Sequence, residues 1–256
     1  MKITVLMENH APDALVCEHG LSLHMEYRGR NVLLDAGASG RFAENAAALG
    51  VDLSAVELAV LSHGHWDHAD GLGAFFEANA RARLYARPAI LEPEWLDAGG
   101  EREFIGVNPA LLERYAARLD LDDGPREILP GLHLVPDAVA HEQSLVAETA
   151  RGLVVMNSCC HAGAGYIVRD LLERFPGQKV HAVLGGFHLM GLRSPDSLGV
   201  APGIVKNLGR WLCGEMGVEQ IYTGHCTGGP AFALLKEELG DKVHHLQTGD
   251  TISFED

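Results

Sequence analysis

The chain has few cysteines, few basic residues and no long apolar run, and each shortage argues against a class of protein. Its cysteines, at positions 17, 159, 160, 213 and 226, are odd in number and scattered, which favours a reduced protein over a disulfide framework. Twenty Lys and Arg against 35 acidic residues leave a formal charge of −15, which argues against nonspecific binding to nucleic acid or to an anionic membrane. No apolar run approaches the length of a membrane span.

The N-terminal segment also lacks the features of a signal peptide. It becomes acidic at Glu8, too soon for the apolar core of such a peptide, so we expect a cytoplasmic protein. The 256 residues are 47% hydrophobic, which is enough to bury a substantial core, and they contain no internal repeat, low-complexity segment or clear linker. We therefore predict a single domain over residues 1–256.

The apolar pattern predicts a strand-rich first part, followed by alternating helices and strands. Strands are predicted over residues 2–7, 22–27, 31–35, 56–61, 83–86, 128–135, 143–149, 152–157, 180–184, 220–223 and 243–254. Helices are predicted over residues 41–49, 72–80, 111–119, 166–175, 204–216 and 232–239. The rest of residues 88–127 lacks strand character, and we interpret that region as an inserted cap or lid. This order of elements favours an α/β (α+β) fold with two packed sheets and outer helices.

The most informative stretch is the run from His63 to His68, which reads His-Gly-His-Trp-Asp-His and lies between a predicted buried strand and a predicted helix. Three imidazoles and a carboxylate within six residues are suitable ligands for borderline metals. Because residues two apart on an extended backbone point to the same side, His63 and His65 are expected to face one cation. A turn at Asp67 and His68 would aim those side chains at a second position beside it, where two cations can share an activated water.

Histidines recur where later strands are predicted to end, namely at His161, His188 and His225. Loops at strand ends along one sheet edge converge into a site, and the first cluster supplies only part of a coordination shell. His161 and His225 are therefore candidate metal ligands. Catalytic roles have these candidates: Asp67 to orient a water or take its proton, and His188 or His225 to stabilise oxyanion charge.

The predicted hairpin of strands 143–149 and 152–157 bears on the mid-chain ligand. In an antiparallel pair, the entry of the first strand and the exit of the second lie at the same end, which brings His141 near Cys159, Cys160 and His161. His141, Cys159 and His161 are all chemically suitable ligands, so the choice among them stays open. Asp35, at the end of an earlier strand, is a candidate to hydrogen-bond a ligating imidazole and fix its tautomer.

These features resemble the signature of the metallo-β-lactamase superfamily. The resemblance is carried by the His-x-His-x-Asp-His run, by the segment Leu-Leu-Asp-Ala-Gly at 33–37, and by a late strand that ends in His225. It implies an αββα sandwich of two mixed sheets with outer helices, and a dinuclear site at one edge of the sheets. It also implies two ligand sets: one metal takes His63, His65 and a mid-chain residue, and the other takes Asp67, His68 and His225.

Four other segments resemble one branch of that superfamily more closely, the 7,8-dihydropterin-6-yl-methyl-4-(β-D-ribofuranosyl)aminobenzene 5′-phosphate synthase-like branch. They are Glu-His-Gly-Leu-Ser at 18–22, Ser-Cys-Cys-His-Ala-Gly at 158–163, Gly-Gly-Phe-His-Leu at 185–189 and His-Cys-Thr-Gly at 225–228. One departure concerns Asp70, which stands where a second glycine is commoner in the superfamily. Asp70 adds a carboxylate beside the expected site.

Two classes of function follow from these observations. The first is a metal-dependent enzyme with hydrolase-type chemistry, in which one or two divalent ions, zinc foremost and manganese or iron as alternatives, activate water toward a small phosphorylated or ester-like substrate. Within that class, the resemblance to the synthase-like branch offers carbon–nitrogen bond formation with pyrophosphate release as the alternative. The second class is a non-catalytic metal-binding or sensor protein of the same fold. We expect a small-molecule partner, no nucleic acid and no membrane.

Overall fold

The computed structural model describes residues 1–192 and 194–255, which divide into two compact units. The first unit comprises residues 1–124 and 247–254, and the second comprises residues 125–246 and residue 255. Each unit contains one seven-stranded sheet and a set of helices. The assignment of residues 88–127 to a cap or lid of one single domain stays a prediction.

The described residues form strands and α-helices that we number in chain order. The strands are β1 (Lys2–Met7), β2 (Ser22–Tyr27), β3 (Arg30–Leu34), β4 (Leu58–Val60), β5 (Arg83–Ala86), β6 (Trp95–Ala98), β7 (Glu101–Phe104), β8 (Leu119–Leu121), β9 (Arg126–Leu129), β10 (Leu132–Pro136), β11 (Gln143–Thr149), β12 (Gly152–Met156), β13 (Val180–Gly185), β14 (Met190–Gly191), β15 (Ser194–Leu198), β16 (Gln220–Thr223), β17 (Val243–His245) and β18 (Thr251–Ser253). The helices are α1 (Arg41–Ala48), α2 (Trp66–Ala69), α3 (Leu72–Ala78), α4 (Pro109–Arg114), α5 (Ala164–Arg174), α6 (Pro202–Arg210) and α7 (Gly229–Leu239).

The sheet of the first unit has the order β18-β1-β2-β3-β4-β5-β8. Its first three pairs are antiparallel and its last three are parallel. The β2–β3 hairpin turns at Arg28 and Gly29, whose positive φ values of 47° and 77° suit the mirror-image turn that matches the twist of the strands. Helices α1 and α3 bury Phe42 and Phe75 against this sheet, in a core that also contains Leu33 of β3 and Leu84 of β5.

The sheet of the second unit has the order β17-β16-β13-β12-β11-β10-β9. Four neighbouring strands of this sheet, β17, β16, β13 and β12, run parallel to one another, and the remaining pairs are antiparallel. Strands β12 and β13 are buried along their whole length, as is typical of parallel strands with near-continuous apolar sequence. Helix α5 contributes Ile167 and Leu171 to the core, where they pack with Val205 of α6, Leu235 of α7 and Val183 of β13.

Residues 88–127 contain more strand than we predicted from the sequence. Strand β8 pairs with β5 in the first sheet, and β6 and β7 form a separate hairpin. The predicted helix over residues 111–119 begins earlier, at Pro109, and ends at Arg114, because Leu119 already belongs to β8. Strands of three or four residues are too short to show a readable apolar period, and the prediction missed them for that reason.

Three other stretches also differ from the prediction. The predicted strand over residues 128–135 is two strands, β9 and β10, because Gly131 lies between them with a φ of 76°. The predicted closing strand over residues 243–254 is also two, β17 and β18, which belong to different sheets. The hairpin of β14 and β15 was not predicted at all. Among the residues described, we find no helix with the length and apolarity required to cross a membrane.

Candidate metal centre

The candidate ligands lie just beyond the carboxyl ends of parallel strands in both units. In the first unit, Asp35 follows β3 and His63 follows β4. In the second unit, Cys159 follows β12, His188 follows β13 and His225 follows β16. The carboxyl ends of parallel strands are where ligands bind in α/β sheets, because the loops that leave them gather at one edge.

The two histidines of the His-x-His pair in the first unit face each other. His63 is fully buried, and its Nε2 lies 3.0 Å from Nδ1 of His65, with the ring centroids 4.5 Å apart. Two nitrogens on a tetrahedral zinc, with bonds of about 2.0–2.1 Å, are separated by roughly 3.3 Å. The observed spacing is close to that value.

A buried carboxylate determines which nitrogen of His63 and of His68 carries a proton. Asp35 accepts hydrogen bonds from the Ser62 backbone N–H at 2.7 Å, the Ser62 hydroxyl at 2.7 Å and His68 Nδ1 at 2.8 Å. Because the hydroxyl has donated its only hydrogen to Asp35, it must accept from His63 Nδ1, which lies 2.8 Å away. His63 and His68 are therefore both protonated at Nδ1, and Nε2 is the nitrogen of each ring that could bind a metal.

Glu94 has the same role for His65. Its Oε2 lies 2.8 Å from Nε2 of His65, so that nitrogen donates to the carboxylate and Nδ1 is left as the acceptor. The acceptor nitrogens of His63 and His65 then point at each other at 3.0 Å. Two lone pairs at that distance repel unless a cation, either a proton or a metal ion, lies between them. The donor set of this pair therefore fits a divalent metal.

Asp67 and His68 form a second candidate cation position in the first unit. Oδ2 of Asp67 lies 3.4 Å from Nε2 of His68 and 3.4 Å from Nε2 of His19. Burial acts to lower the pKa of His68, but the carboxylates of Asp67 and Asp35 outweigh burial and raise this pKa well above its ordinary value. An imidazole nitrogen that attracts a proton so strongly is also a favourable place for a divalent cation.

In the second unit, Glu142 holds the loop that follows β12. Its two carboxylate oxygens accept from the backbone N–H of Cys159 at 2.7 Å and from that of His161 at 2.9 Å. The ring of His161 lies 4.8 Å from that of His141, measured between centroids. The prediction that the hairpin brings His141 to the exit of its second strand is therefore confirmed. The His161 ring also lies 4.5 Å from that of His188, measured between centroids.

Two cysteines and a histidine meet at the same end of the second unit. The ligand atoms of Cys159, His225 and Cys226 lie within 4.8 Å of one another. Cys226 Sγ accepts from the backbone N–H of His188 at 3.3 Å. Burial acts to raise the pKa of the Cys226 thiol, but the hydrogen bond from Cys159 and the neighbouring histidines outweigh burial, so the pKa lies well below its usual value. A sulfur ligand is therefore available beside His225.

Cys160 differs from its neighbour Cys159, which the sequence offers as a candidate ligand. Its side chain belongs to the apolar core of the second unit, and Asn157 Oδ1 accepts from its backbone N–H at 2.7 Å. Burial first, and then the nearby Glu142, raise the pKa of the Cys160 thiol well above its ordinary value. We therefore assign Cys160 a packing role.

Backbone strain is concentrated at these residues. Among the described residues, five that are not glycine have positive φ. Asp35 at 59°, His188 at 51° and His225 at 48° are candidate site residues, and Cys160 at 53° adjoins two of the candidate ligands in sequence. This left-handed conformation is costly for most side chains and persists where the surrounding structure holds it in place.

Three supporting residues escaped the sequence prediction. Ser62 and Glu94 determine the tautomers of the first-unit histidines, and Glu142 anchors the mid-chain loop. The role of Ser62 could have been inferred from the sequence, because this residue adjoins His63. Glu94 and Glu142 lie 29 and 17 residues from the partners they hold, with no motif around them. The predicted hydrogen bond between Asp35 and an imidazole is present, and that imidazole is His68.

The model of the metallo-beta-lactamase superfamily matches residues 17–175, which is more than half of the chain. The chain belongs to this superfamily. The resemblance and the mixed α/β fold class inferred from the sequence are therefore confirmed.

Relatives match over nearly the whole chain. The 7,8-dihydropterin-6-methyl-4-(beta-D-ribofuranosyl)-aminobenzene-5′-phosphate synthase of Methanocaldococcus jannaschii is 26% identical, covering 99% of this chain and 97% of the relative. The crystal structure of Tm1679, a metal-dependent hydrolase of the beta-lactamase superfamily, is 27% identical with a TM-score of 0.82 and covers both chains completely. The metallo-beta-lactamase fold protein YhfI from Bacillus subtilis is 14% identical with a TM-score of 0.62, covers 98% of this chain and 99% of its own, and shows the fold alone.

Proposed function

We propose that this protein is a metal-dependent hydrolase that acts on a small phosphorylated or ester-like substrate. It would use one or two divalent ions, zinc foremost, with manganese or iron as alternatives. Membership of the superfamily supports this proposal, and so does the full-length relative described as a metal-dependent hydrolase. The proposed metal ligands are His63, His65, Asp67 and His68 in the first unit and His161 and His225 in the second, with Cys159 and His141 as the alternatives to His161.

One observation carries the proposal. His63 and His65 direct acceptor nitrogens at each other across 3.0 Å, while Ser62 and Glu94 hold their other nitrogens as donors. A pair of purely structural histidines would instead point a donor at an acceptor, because buried polar groups are almost always hydrogen-bonded. Carboxylates that orient histidines through the second ring nitrogen are typical of metal sites.

The chain's own residues then divide the chemistry. A divalent ion, when bound, would lower the pKa of its water to about 7 and so supply hydroxide at neutral pH. We assign to Asp67 the orientation of the attacking water and the acceptance of its proton. We assign to His188 the stabilisation of negative charge that develops on the substrate. Asp35 and Glu94 keep the imidazoles in the tautomers that this chemistry requires.

A second candidate reaction is supported by the full-length match to a protein described as a synthase. In that reaction, a carbon–nitrogen bond forms and pyrophosphate leaves, and the same metal ligands would stabilise the departing pyrophosphate. We place hydrolysis first because the relative described as a hydrolase matches both chains completely. A metal-binding or sensor role without turnover is the third candidate.

The test is an activity panel on purified protein loaded with Zn²⁺, Mn²⁺ or Fe²⁺. Hydrolysis of generic phosphodiester, lactone and thioester substrates is measured beside pyrophosphate release from an alkyl pyrophosphate mixed with an arylamine. We expect hydrolysis of at least one substrate class, its loss with chelator, and its reduction by more than about 100-fold in His65→Ala. His244→Ala is the matched control, because His244 stacks on Tyr222 outside the candidate site.

The outcomes separate the candidates. Pyrophosphate release without hydrolysis supports the synthase reaction and overturns the hydrolase. Stoichiometric metal with no turnover on any substrate supports the binding role. A protein that binds none of the three metals contradicts all three candidates.

A further inference from the structure

Three of the six large apolar side chains that are exposed among the described residues lie on one face of the second unit. Val139 is 83% exposed, Tyr166 of α5 is 55% exposed and Ile204 of α6 is 54% exposed. Tyr166 lines two grooves on this face, one of about 420 Å³ that Val139 also lines, and one of about 570 Å³ that Ile204 also lines. We call the surface from Val139 across Tyr166 to Ile204 the α5–α6 face. Contiguous apolar surface of this kind is uncommon on monomeric proteins and usually marks an interaction site.

A tightly packed tryptophan gives this face its shape. The indole of Trp211 lies so close to α5 that a Cβ at Gly165 would be 2.3 Å from it. The rings of Trp211 and Tyr166 meet edge to face, with centroids 5.3 Å apart, and the guanidinium of Arg169 lies 5.0 Å from the centroid of the tyrosine ring. Tyr166 is therefore a supported ridge between the two grooves. A surface that is already ordered loses little side-chain entropy when another surface packs against it.

Two charges of opposite sign lie on either side of this ridge. Arg169 lines the smaller groove and Glu215 lines the larger one. Neither forms an ion pair within the part of the chain that the structure describes. The smaller groove is also lined by Asp170, which pairs with Arg174 at 2.6 Å, and by Asp137, which is buried. Arg169 and Glu215 are therefore the charges available to a second surface.

These features match one another under a two-fold rotation. In a two-fold dimer the same patch of both copies forms the interface, so if residue i meets residue j, then j meets i. With the axis at Tyr166, the Arg169 of each copy faces the Glu215 of the other, and Val139 faces Ile204. The chain's formal charge of −15 makes contact through the rest of its acidic surface unfavourable. Charge complementarity therefore selects a second copy as the occupant of this face.

We propose that the α5–α6 face is the interface of a homodimer. Tyr166 packs at the two-fold axis, and two symmetric Arg169–Glu215 pairs form across it. A second copy of this chain buries the exposed apolar side chains of both molecules and supplies each of these charges with a partner. The inference does not depend on a bound metal or on the proposed reaction.

Sedimentation equilibrium of the full chain, measured up to about 100 µM, tests the inference. We expect the mass of two chains at the highest concentration. Ile204→Glu should raise the dissociation constant of the dimer by about 100-fold or more, because it buries two carboxylates in an apolar interface. Leu91→Glu is the matched control, for which we expect an unchanged dissociation constant, because Leu91 is equally exposed at 54% but belongs to the first unit.

Reversal of the two charges tests the pairing itself. Arg169→Glu and Glu215→Arg should each weaken the dimer by about tenfold or more, because each places like charges opposite one another at two symmetric positions. The protein with both substitutions should recover the dissociation constant of the unmodified protein to within about threefold, and a folded double variant that does not recover would overturn the pairing. Both residues are exposed, so these variants also decide the question if Ile204→Glu does not fold.

Three results would overturn the inference as a whole. The first is an unmodified protein that stays monomeric at about 100 µM. The second is a dimer that neither Ile204→Glu nor the charge reversals weaken by more than about threefold, because such a dimer must use another face. The third is a monomer that carries added mass in native mass spectrometry, which would show that a small apolar molecule covers this face.

Discussion

Replacement of Asp35 by Asn is the most direct test of how the first-unit histidines are oriented. An asparagine keeps the size of the side chain and tolerates the positive φ of 59° at this position. Its amide, however, replaces one acceptor oxygen with a donor. If the NH₂ group faces His68, Nδ1 must become an acceptor and the proton moves to Nε2, the atom that a metal needs. If the amide flips, its NH₂ group instead meets the backbone N–H of Ser62.

The size of the effect follows from these hydrogen bonds. Both orientations lose at least one charge-assisted hydrogen bond, worth about 1.5–3 kcal/mol. The first also forces His68 into the other tautomer, and the flipped one leaves a buried donor facing a donor. We therefore expect the metal-free Asp35→Asn protein to lose about 2–4 kcal/mol of unfolding free energy. We also expect zinc affinity to fall by about 10- to 100-fold, as is usual when a group that orients a ligating histidine is removed.

Urea unfolding of chelator-treated protein measures the first effect, and competition with a chromophoric zinc chelator measures the second. Asp13→Asn, which alters an exposed carboxylate of the same unit, is the control for the change in net charge. Zinc affinity within twofold of the unmodified protein, with the fold intact, would refute the assignment of tautomers through Asp35.

Three further predictions concern stability, each read out by urea unfolding. Glu142→Gln should lower the free energy of unfolding by about 1.5–3 kcal/mol, because the amide NH₂ group must face one of the two backbone N–H groups that now donate to the carboxylate. An unchanged free energy of unfolding would contradict the anchoring role of Glu142. Gly71→Ala should prevent stable folding, since a Cβ would lie 1.9 Å from a backbone carbonyl oxygen, whereas Gly73→Ala, at 3.5 Å from its nearest side chain, should fold normally. Burial lowers the pKa of His24, so the free energy of unfolding is expected to fall as the pH drops below about 6.5 toward that lowered pKa. His24→Phe should flatten this pH dependence, whereas the control His10→Asn should leave it unchanged.

The long elements of this fold were predictable from sequence, and the short ones were not. Strand β1 has the predicted bounds, and the β11–β12 hairpin agrees with its prediction to within one residue. Each of these strands is a largely apolar run with turn residues at its end. Strands β6, β7 and β8 have three or four residues each. Strands β6 and β7 pair only with each other, and β8 pairs with β5, which lies far earlier in the chain. Such strands form because a sheet edge or a hairpin partner accepts them, which local pattern does not record.

The candidate site divides in the same way. Residue type and spacing identified the histidine run, and strand-end geometry pointed to His161, His188 and His225. The carboxylates that orient or anchor these loops, Glu94 and Glu142, depend on tertiary placement and gave no local signal. Metal number and identity, the ligand assignment, the cytoplasmic location and the absence of nucleic-acid or membrane partners stay predictions.

The left-handed backbone at Asp35, Cys160, His188 and His225 has a consequence for how this protein would respond to selection. An L-residue with a Cβ in that conformation costs about 1–2 kcal/mol, which glycine avoids. A library screened only for heat resistance should therefore accumulate glycine or asparagine at His188 and His225, and the most stable variants would be the least able to turn over substrate. At these positions, selection for stability and selection for activity favour different residues.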